Sequence, residues 1–418
     1  MKPCVVFIAT YDTKGKESDH IKRQIENSGV QCLTIDVGVG AEPTARPDVS
    51  LADLCAGSDY TVEKLRAMPR GDAVGIASDL VEKYVARLFK NGEMSAIIGI
   101  GGAGGTQIVT QTMRTLPFGL PKLMLSTLAS GNVRWYLQDS DICMFPSVAD
   151  VCGINYVTEL VFNRFAAMAS SAAQWYADSQ EYHAKKFADK SKLRIGMTMY
   201  GTTTKGVTEA REELERLGYE TIVFHASGAG GRSMEKFINQ GVIHGVLDMT
   251  IAEVGAHLVG GLHDAGPDRL SAAVKMNIPM VLVPGAADTV VLPPIGDVPE
   301  QFKHGRVLNK HNPTMTTMRT NVEENIRIAE FIADKLKIVQ SPINILMPMG
   351  GVSSIDRPGQ VFYMPEANMA LLNTLKERLK QANGMINIIE DQRHLYDNGF
   401  GQTAAGLLDE MMKVHYLS

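Results

Sequence analysis

The chain has few aromatic residues and no excess of basic ones. Phe, Trp and Tyr make up 6% of its 418 residues, so the hydrophobic core has to be built mainly from aliphatic side chains. Lys and Arg number 41 against 46 Asp and Glu, which gives a formal net charge of −5 and no basic stripe. Nucleic acid and anionic membranes are therefore not expected as partners.

Long hydrophobic runs and paired cysteines are also missing. No apolar run reaches the roughly 18 residues of a membrane-spanning helix, so none is expected. The five cysteines are an odd number and contain no CxxC pair, a pattern typical of reduced thiols in a cytoplasmic protein. No pair of histidines has convincing zinc-ligand spacing, so no metal site built from protein ligands is predicted.

The chain has the composition of an ordinary globular protein and a pattern of alternating strands and helices. Apolar residues at 45% and charged residues at 21% exclude disorder, and the length favours two to three domains. Short apolar runs that fit buried strands alternate with segments of helical periodicity, which indicates parallel sheets covered on both faces. The predicted strands are at 4–10, 31–37, 95–100, 121–126, 141–145, 193–199, 220–225, 244–249, 279–283, 343–347 and 385–389.

The two halves of the chain resemble each other. Tyr11 matches Tyr200 and Asp36 matches His225, each pair 189 residues apart, and further ordered matches follow. An internal duplication explains this, although two generic α/β halves also resemble each other by chance. We predict an α/β protein of two Rossmann-like parallel-sheet domains, 1–188 and 189–418, joined by a long helical segment at 154–186 that packs at a domain or subunit interface.

The strongest chemical signal is a run of glycines between a strand and a helix. Glycine lets backbone amides approach an anion, and the helix N-terminus that follows favours negative charge. The alternative is a tight turn that only brings helix and sheet together. No P-loop sequence occurs, so a nucleotide would be held differently. The predicted phosphate contacts are Gly101, Gly102, Ala103, Gly104, Gly105 and Thr106.

Other loops at the same predicted sheet edge carry polar residues. Lys14 would meet phosphate and Asp12 would hold Mg²⁺, or this first turn is only a helix cap with a solvated lysine. Asp36 ends the second strand, where a carboxylate can bind ribose hydroxyls; the alternative is a solvated aspartate at the end of a strand. The further candidate contacts in these loops are Thr10, Tyr11, Thr13, Ser126, Thr127, Ser130 and Gly131.

The second half contains a long segment, 284–319, that is predicted to be a structureless functional loop; the alternative is a lid or a dimer arm with ordinary surface charges. No glycine cradle is found at residues 248–253, so anion recognition there is expected from side chains. His311, Asn312 and Arg319 are predicted to converge on an acidic ligand in a cleft between the domains, with Ser353 as a further contact. Alternatively, Arg319 only pairs with Glu323 or Glu324 on the following helix.

Five segments together resemble a known family. They are IATYDTKGKE, IGIGGAGGT, PKLMLSTLASG, HNPTMTTMRT and MPMGGVSSID, in this order along the chain. The family is the largely uncharacterised one related to the N-terminal ATP-binding domain of the tomato mosaic virus resistance protein. The resemblance implies two Rossmann-like domains, ATP binding with Mg²⁺, a homodimer, and nucleotide contacts at Thr10–Lys14, Gly101–Thr106 and Ser126–Gly131. It implies no particular reaction.

The expected function is therefore that of a cytoplasmic ATP-binding protein with a second site for a small acid. If the protein is an enzyme, phosphoryl transfer or ATP-driven chemistry fits, because positioning and charge stabilisation suffice for it. One alternative is an enzyme that acts on a small acid without ATP. Another is a non-catalytic regulatory or interaction protein in which ATP is a structural ligand.

Overall fold

The computed structural model describes residues 2–189, 191–380 and 385–417. The chain divides into two compact units, Met1–Ala188 and Asp189–Ser418, which we call unit 1 and unit 2. Within the described residues, no helix is both long enough and apolar enough to span a membrane.

Unit 1 is a five-stranded parallel sheet with helices on both faces. Its strands are β1 Cys4–Ala9, β2 Gln31–Asp36, β3 Ala96–Gly101, β4 Lys122–Ser126 and β5 Cys143–Pro146, in the spatial order β2-β1-β3-β4-β5. Its helices are α1 Tyr11–Asn27, α2 Leu51–Cys55, α3 Val62–Ala67, α4 Arg70–Lys90, α5 Ala103–Thr115, α6 Arg134–Leu137 and α7 Tyr156–Ala188.

The continuous apolar runs are explained by burial of the sheet on both sides. Val6 and Ile8 of β1 pack with α4 and α5 on one face, whereas Val5 and Phe7 pack with α1 and α7 on the other. Because successive side chains of a strand point to opposite faces, both sets have to be apolar. The helical segment predicted at 154–186 is α7, a single helix of 33 residues.

Unit 2 has a six-stranded parallel sheet. Its strands are β6 Arg194–Met199, β7 Glu220–His225, β8 Gly245–Asp248, β9 Met280–Leu282, β13 Ile343–Pro348 and β14 Ile386–Asp391, in the order β14-β13-β9-β8-β6-β7. Its helices are α8 Thr204–Arg216, α9 Ala229–Asn239, α10 Ala252–Val259, α11 Ala272–Lys275, α12 Val322–Leu336, α13 Pro365–Leu379 and α14 Phe400–Leu417. The first five strands repeat the order of unit 1, as a duplication predicts.

The segment 284–319 is not structureless, so that prediction was wrong. It forms a three-stranded antiparallel sheet in the order β10-β12-β11, with strands β10 Thr289–Leu292, β11 Leu308–Asn312 and β12 Met315–Arg319. Val290, Leu292 and Met318 are buried in a small core of their own. The strands have only four or five residues, and β11 reads Leu-Asn-Lys-His-Asn, which carries no apolar alternation to reveal it.

Candidate nucleotide site

The sheet order of unit 1 places two of the predicted loops side by side. The order reverses between β1 and β3, which are neighbours in the sheet, so their following connections leave on opposite sides. A crevice at the carboxyl ends of strands forms at such a switch point, and it is where open α/β sheets bind ligands. The turn after β1 and the glycine loop after β3, Gly101–Gly105, therefore flank one crevice.

The glycines of this loop have two different roles. A Cβ on Gly101 would lie 3.0 Å from the Gly105 Cα, and a Cβ on Gly105 would lie 3.3 Å from the Ile100 carbonyl oxygen. These two residues let α5 approach β3 closely, as the architectural alternative requires. A Cβ on Gly104 would meet nothing within 4 Å, and one on Gly102 would only reach Thr127 Oγ1 at 3.7 Å. Packing therefore does not require glycine at 102 or 104.

The start of α5 also has unused donors. Gly102 is the N-cap and supplies no side-chain cap. The Thr106 amide donates to the Gly102 carbonyl at 2.9 Å, whereas the amides of Gly102 to Gly105 have no acceptor in the described part of the chain. Helix N-terminal amides need such partners, and an anion supplies them.

The hydroxyl groups at the end of β4 and in the loop after it also fall into two groups, those that hold the fold together and those open to a ligand. Thr106 and Ser126 are buried, and their hydroxyl oxygens lie 2.7 Å apart, so they tie α5 to the end of β4 rather than face a ligand. The Thr127 amide donates to the Gly101 carbonyl, which places Thr127 directly beside the glycine loop. Ser130 and Gly131 are exposed. Thr127 and Ser130 remain as side chains available to a ligand.

A cavity of about 600 Å³ adjoins these residues, and it includes a segment that the sequence analysis missed. Its lining consists of Ser126, Thr127, Ser130, Pro146, Ser147, Val148, Ala149 and Asp150. Val148 has a φ of +63° although it is β-branched and 80% exposed. The residues on either side of Val148 are joined by a hydrogen bond, in which the Ala149 amide donates to the Ser147 carbonyl at 2.7 Å. Strained backbone of this kind tends to occur at functional sites.

The turn after β1 is only partly available to a ligand. Tyr11 has no exposed surface and packs in the core, so the predicted contact through its side chain was wrong. Asp36 is 2% exposed, and its Oδ1 accepts the amides of Tyr11 at 2.9 Å and Gly38 at 2.7 Å. Burial raises the pKa of Asp36, and these two hydrogen bonds oppose the rise. Asp36 orders the start of α1, which corrects the ribose assignment.

Other residues of this turn do fit a phosphate site. Thr13 is exposed, and Thr10 lies beside it with their hydroxyl oxygens 3.1 Å apart. The Lys14 amide donates to the Thr10 carbonyl at 2.8 Å, but its side-chain ammonium has no hydrogen bond or ion pair in the described residues. Asp12 is half-buried, and its Oδ2 accepts the Gly40 amide at 2.9 Å. Within the described ranges, its Oδ1 receives only a long hydrogen bond of 3.3 Å from the Thr13 hydroxyl.

The residues predicted to bind an acid in unit 2 do not converge. Asn312 pairs with Met315 at the tip of the β11–β12 hairpin, whereas Arg319 pairs with Thr289 at its other end. His311 is exposed at the tip. The Ser353 hydroxyl is buried and donates to Asp288 Oδ2 at 2.5 Å.

Arg319 is a structural residue. Its side chain is fully buried, and its donors reach the carbonyl oxygens of Thr320, Phe362 and Met364 together with Asn368 Oδ1 at 2.7–3.2 Å. The Asp356 carboxylate lies 3.8 Å away. The alternative of a pair with Glu323 or Glu324 was also wrong, because Glu324 is bound by Arg306. Arg319 thus has no donor left for a ligand.

Unit 2 does contain a glycine cradle, contrary to the prediction. Gly228–Gly231 repeats the Gly-Ala-Gly-Gly of residues 102–105, and in both cases the first glycine is the N-cap of a helix. Here the Glu253 carboxylate accepts the amides of Gly228 at 2.7 Å and Gly231 at 2.9 Å. Glu253 is fully buried and is held by Arg269 at 2.8 Å. The cradle of unit 2 already holds an internal anion.

Comparison with known proteins identifies the family. Residues 3–178 match the N-terminal domain and residues 192–412 the C-terminal domain of the uncharacterised protein family UPF0261. The chain belongs to this family. It is 42% identical over 414 residues to a UPF0261 protein of Clostridium tetani, which covers 99% of this chain and 100% of that protein.

Two tomato proteins confirm the resemblance that the motifs indicated. The ToMV resistance protein Tm-1(GCR237) and the ToMV susceptible protein tm-1(GCR26) of Solanum lycopersicum are 35% and 34% identical to this UPF0261 chain, over 99% of its length. The chain spans 56% of each of these proteins.

Proposed function

We propose that unit 1 binds ATP, with the phosphates at the N-terminus of α5. The observation that carries the proposal is the open surface at Gly102 and Gly104, where packing requires no glycine and the amides have no acceptor among the residues that the structure describes. Unit 2 supports it by analogy, because there the same four residues meet a carboxylate. Thr13 and Lys14 would approach the phosphates from the β1 side of the crevice.

The residues present also fit a magnesium ion bound together with the phosphates. Mg²⁺ is usually held by one or two carboxylates plus phosphate oxygens and water, rather than by an all-protein cage. Asp12 offers one such carboxylate beside the crevice. When bound, the ion would neutralise phosphate charge, while Asp12 would hold it and Lys14 would add a second positive charge. The cavity at Ser147–Asp150 would take the part of the ligand beyond Thr127.

The test is a nucleotide series measured by calorimetry with and without MgCl₂. If amides and Lys14 bind phosphate, affinity should fall from ATP to ADP to AMP, and adenosine should bind weakest. Equal affinity for adenosine and ATP would show that the loop does not recognise phosphate.

Turnover is tested separately by phosphate release with a panel of small acids. No release with any of them would favour a regulatory or interaction protein with ATP as a structural ligand.

We also propose that the protein is a cytoplasmic homodimer. All five cysteines are free, as expected in a reducing compartment. One side of α7 is exposed and apolar at helical spacing, through Val157, Leu160, Met168, Trp175 and Tyr182. A second copy of the same helix is the occupant that such a repeating stripe fits. Light scattering of the intact chain should give the mass of a dimer.

A further inference from the structure

A cluster of one tyrosine and two histidines lies at the carboxyl edge of the unit 2 sheet. Tyr200 follows β6 directly, and His225 is the last residue of β7. They correspond in the duplication to Tyr11 and Asp36. In unit 1 that pair is structural, because Tyr11 is a core residue and Asp36 accepts its amide, the first of α1. In unit 2 neither role is kept.

The three rings contact one another closely. Tyr200 and His225 are stacked, with their ring centroids 5.4 Å apart and their planes 25° from parallel. His263 meets the Tyr200 ring edge-on at 5.7 Å, and its Nδ1 lies 3.2 Å from the Tyr200 hydroxyl oxygen. Three separate segments therefore bring a phenol and two imidazoles to one point.

This cluster is not part of a hydrophobic core. Tyr200 and His263 are half-buried, and His225 is exposed, with no hydrogen bond from its ring in the described residues. Burial raises the pKa of the Tyr200 phenol, so it stays neutral and available for hydrogen bonding. The Thr202 hydroxyl oxygen in the same turn is buried and has no partner among the described residues.

We propose that Tyr200, His225 and His263 form a binding site within unit 2 for a small carboxylate or phosphate anion. The two imidazoles would donate to the anion, and the Tyr200 hydroxyl fixes the orientation of His263. The anion is thereby assigned to this cluster rather than to the β11–β12 hairpin. His225 and His263 contact the ligand, whereas Tyr200 is a positioning residue.

The test follows the histidine Cε1–H resonances of the intact chain by NMR during titration with inorganic phosphate and, in parallel, with malonate, both without nucleotide. The chain has ten histidines. His225→Gln and His263→Gln assign the two signals, and His311→Gln assigns the exposed hairpin histidine as a control. We expect saturable shifts of His225 and His263 with a dissociation constant of about 1 mM or tighter, while His311 stays unchanged.

Tyr200→Phe keeps the ring stacking but removes the hydroxyl, so it should weaken binding and alter the His263 signal in particular. Saturation with phosphate alone or malonate alone supports the site and identifies the anion. Shifts that are linear, or equal at His225 and His311, would overturn the proposal, as would Tyr200→Phe with unchanged binding and an unchanged His263 signal. Since no ATP is present, failure here leaves the proposal for unit 1 unaffected.

Discussion

Replacing Gly104 by Val separates the two roles of the glycine loop. The structure leaves more than 4 Å of open space around a Cβ at this position. Val is favoured over Gly in a helix by roughly a few tenths of a kcal/mol, so the free energy of unfolding should not fall. Its methyl groups would lie where phosphate oxygens approach the amides. We expect ATP affinity to decrease at least about tenfold, which corresponds to about 1.4 kcal/mol.

Gly101→Ala is the matched control, because it changes the same loop but disturbs the packing of helix on strand rather than the surface offered to phosphate. The added Cβ would lie 3.0 Å from the Gly105 Cα, so the helix or the strand has to shift. Overpacking of this kind costs about 1–3 kcal/mol. For a domain of this size each kcal/mol lowers the melting temperature by about 2–4 °C. This variant should melt earlier than Gly104→Val even without nucleotide.

The assay combines thermal unfolding without ligand and calorimetric titration with ATP for both variants. The expected result is an unchanged melting temperature with weak ATP binding for Gly104→Val, and a lowered melting temperature for Gly101→Ala. A Gly104→Val variant that binds ATP normally but unfolds earlier would refute the reasoning, since Gly104 would then be architectural.

Three further predictions concern buried charge and the exposed helix. Arg319→Ala should lower the free energy of unfolding by about 3–5 kcal/mol in urea denaturation, because it leaves Asp356 unpaired; a loss under 1 kcal/mol would contradict this. Asp288 has a pKa raised to about 6 by burial, so it binds its proton more tightly in the folded state. Its contribution to stability should fall as pH rises from about 4 to about 6, and Asp288→Asn should remove that fall; identical pH profiles would disprove it. Trp175→Glu should convert the proposed dimer to a monomer in light scattering, whereas a dimer mass that the substitution leaves unchanged would contradict an interface formed by α7.

The strands of both parallel sheets were predictable because burial on both faces requires a continuous run of apolar residues. Val5 to Ile8 are apolar without interruption, and β1 ends within one residue of the predicted limit. The same rule cannot find β11, whose short polar sequence is held by pairing with β12 rather than by its own composition. Local pattern identifies an element only when the element's own residues are buried.

The position of the candidate loops was predictable from the sequence, but the contacts of their individual residues were not. The glycine loop was found because strand, glycines and helix follow each other in sequence. Arg319 was misassigned because the local sequence, an arginine before a helix, does not distinguish a side chain that faces a ligand from one that binds the buried Asn368. Ser147–Asp150 was missed because a short polar turn after β5 carries no signal before the cavity is known. The cradle at Gly228 was overlooked because it follows β7, whereas the glycine loop of unit 1 follows β3, which corresponds to β8.

The most direct test of the central proposal is the stoichiometry of ATP binding to the intact chain. Unit 1 offers an open cradle, while the same four-residue sequence after β7 in unit 2 is occupied by Glu253. Calorimetry with Mg²⁺ and ATP should therefore give one site per chain, and Gly104→Val should weaken that site. An absence of ATP binding, two equivalent sites per chain, or one site unaffected by Gly104→Val would contradict the assignment.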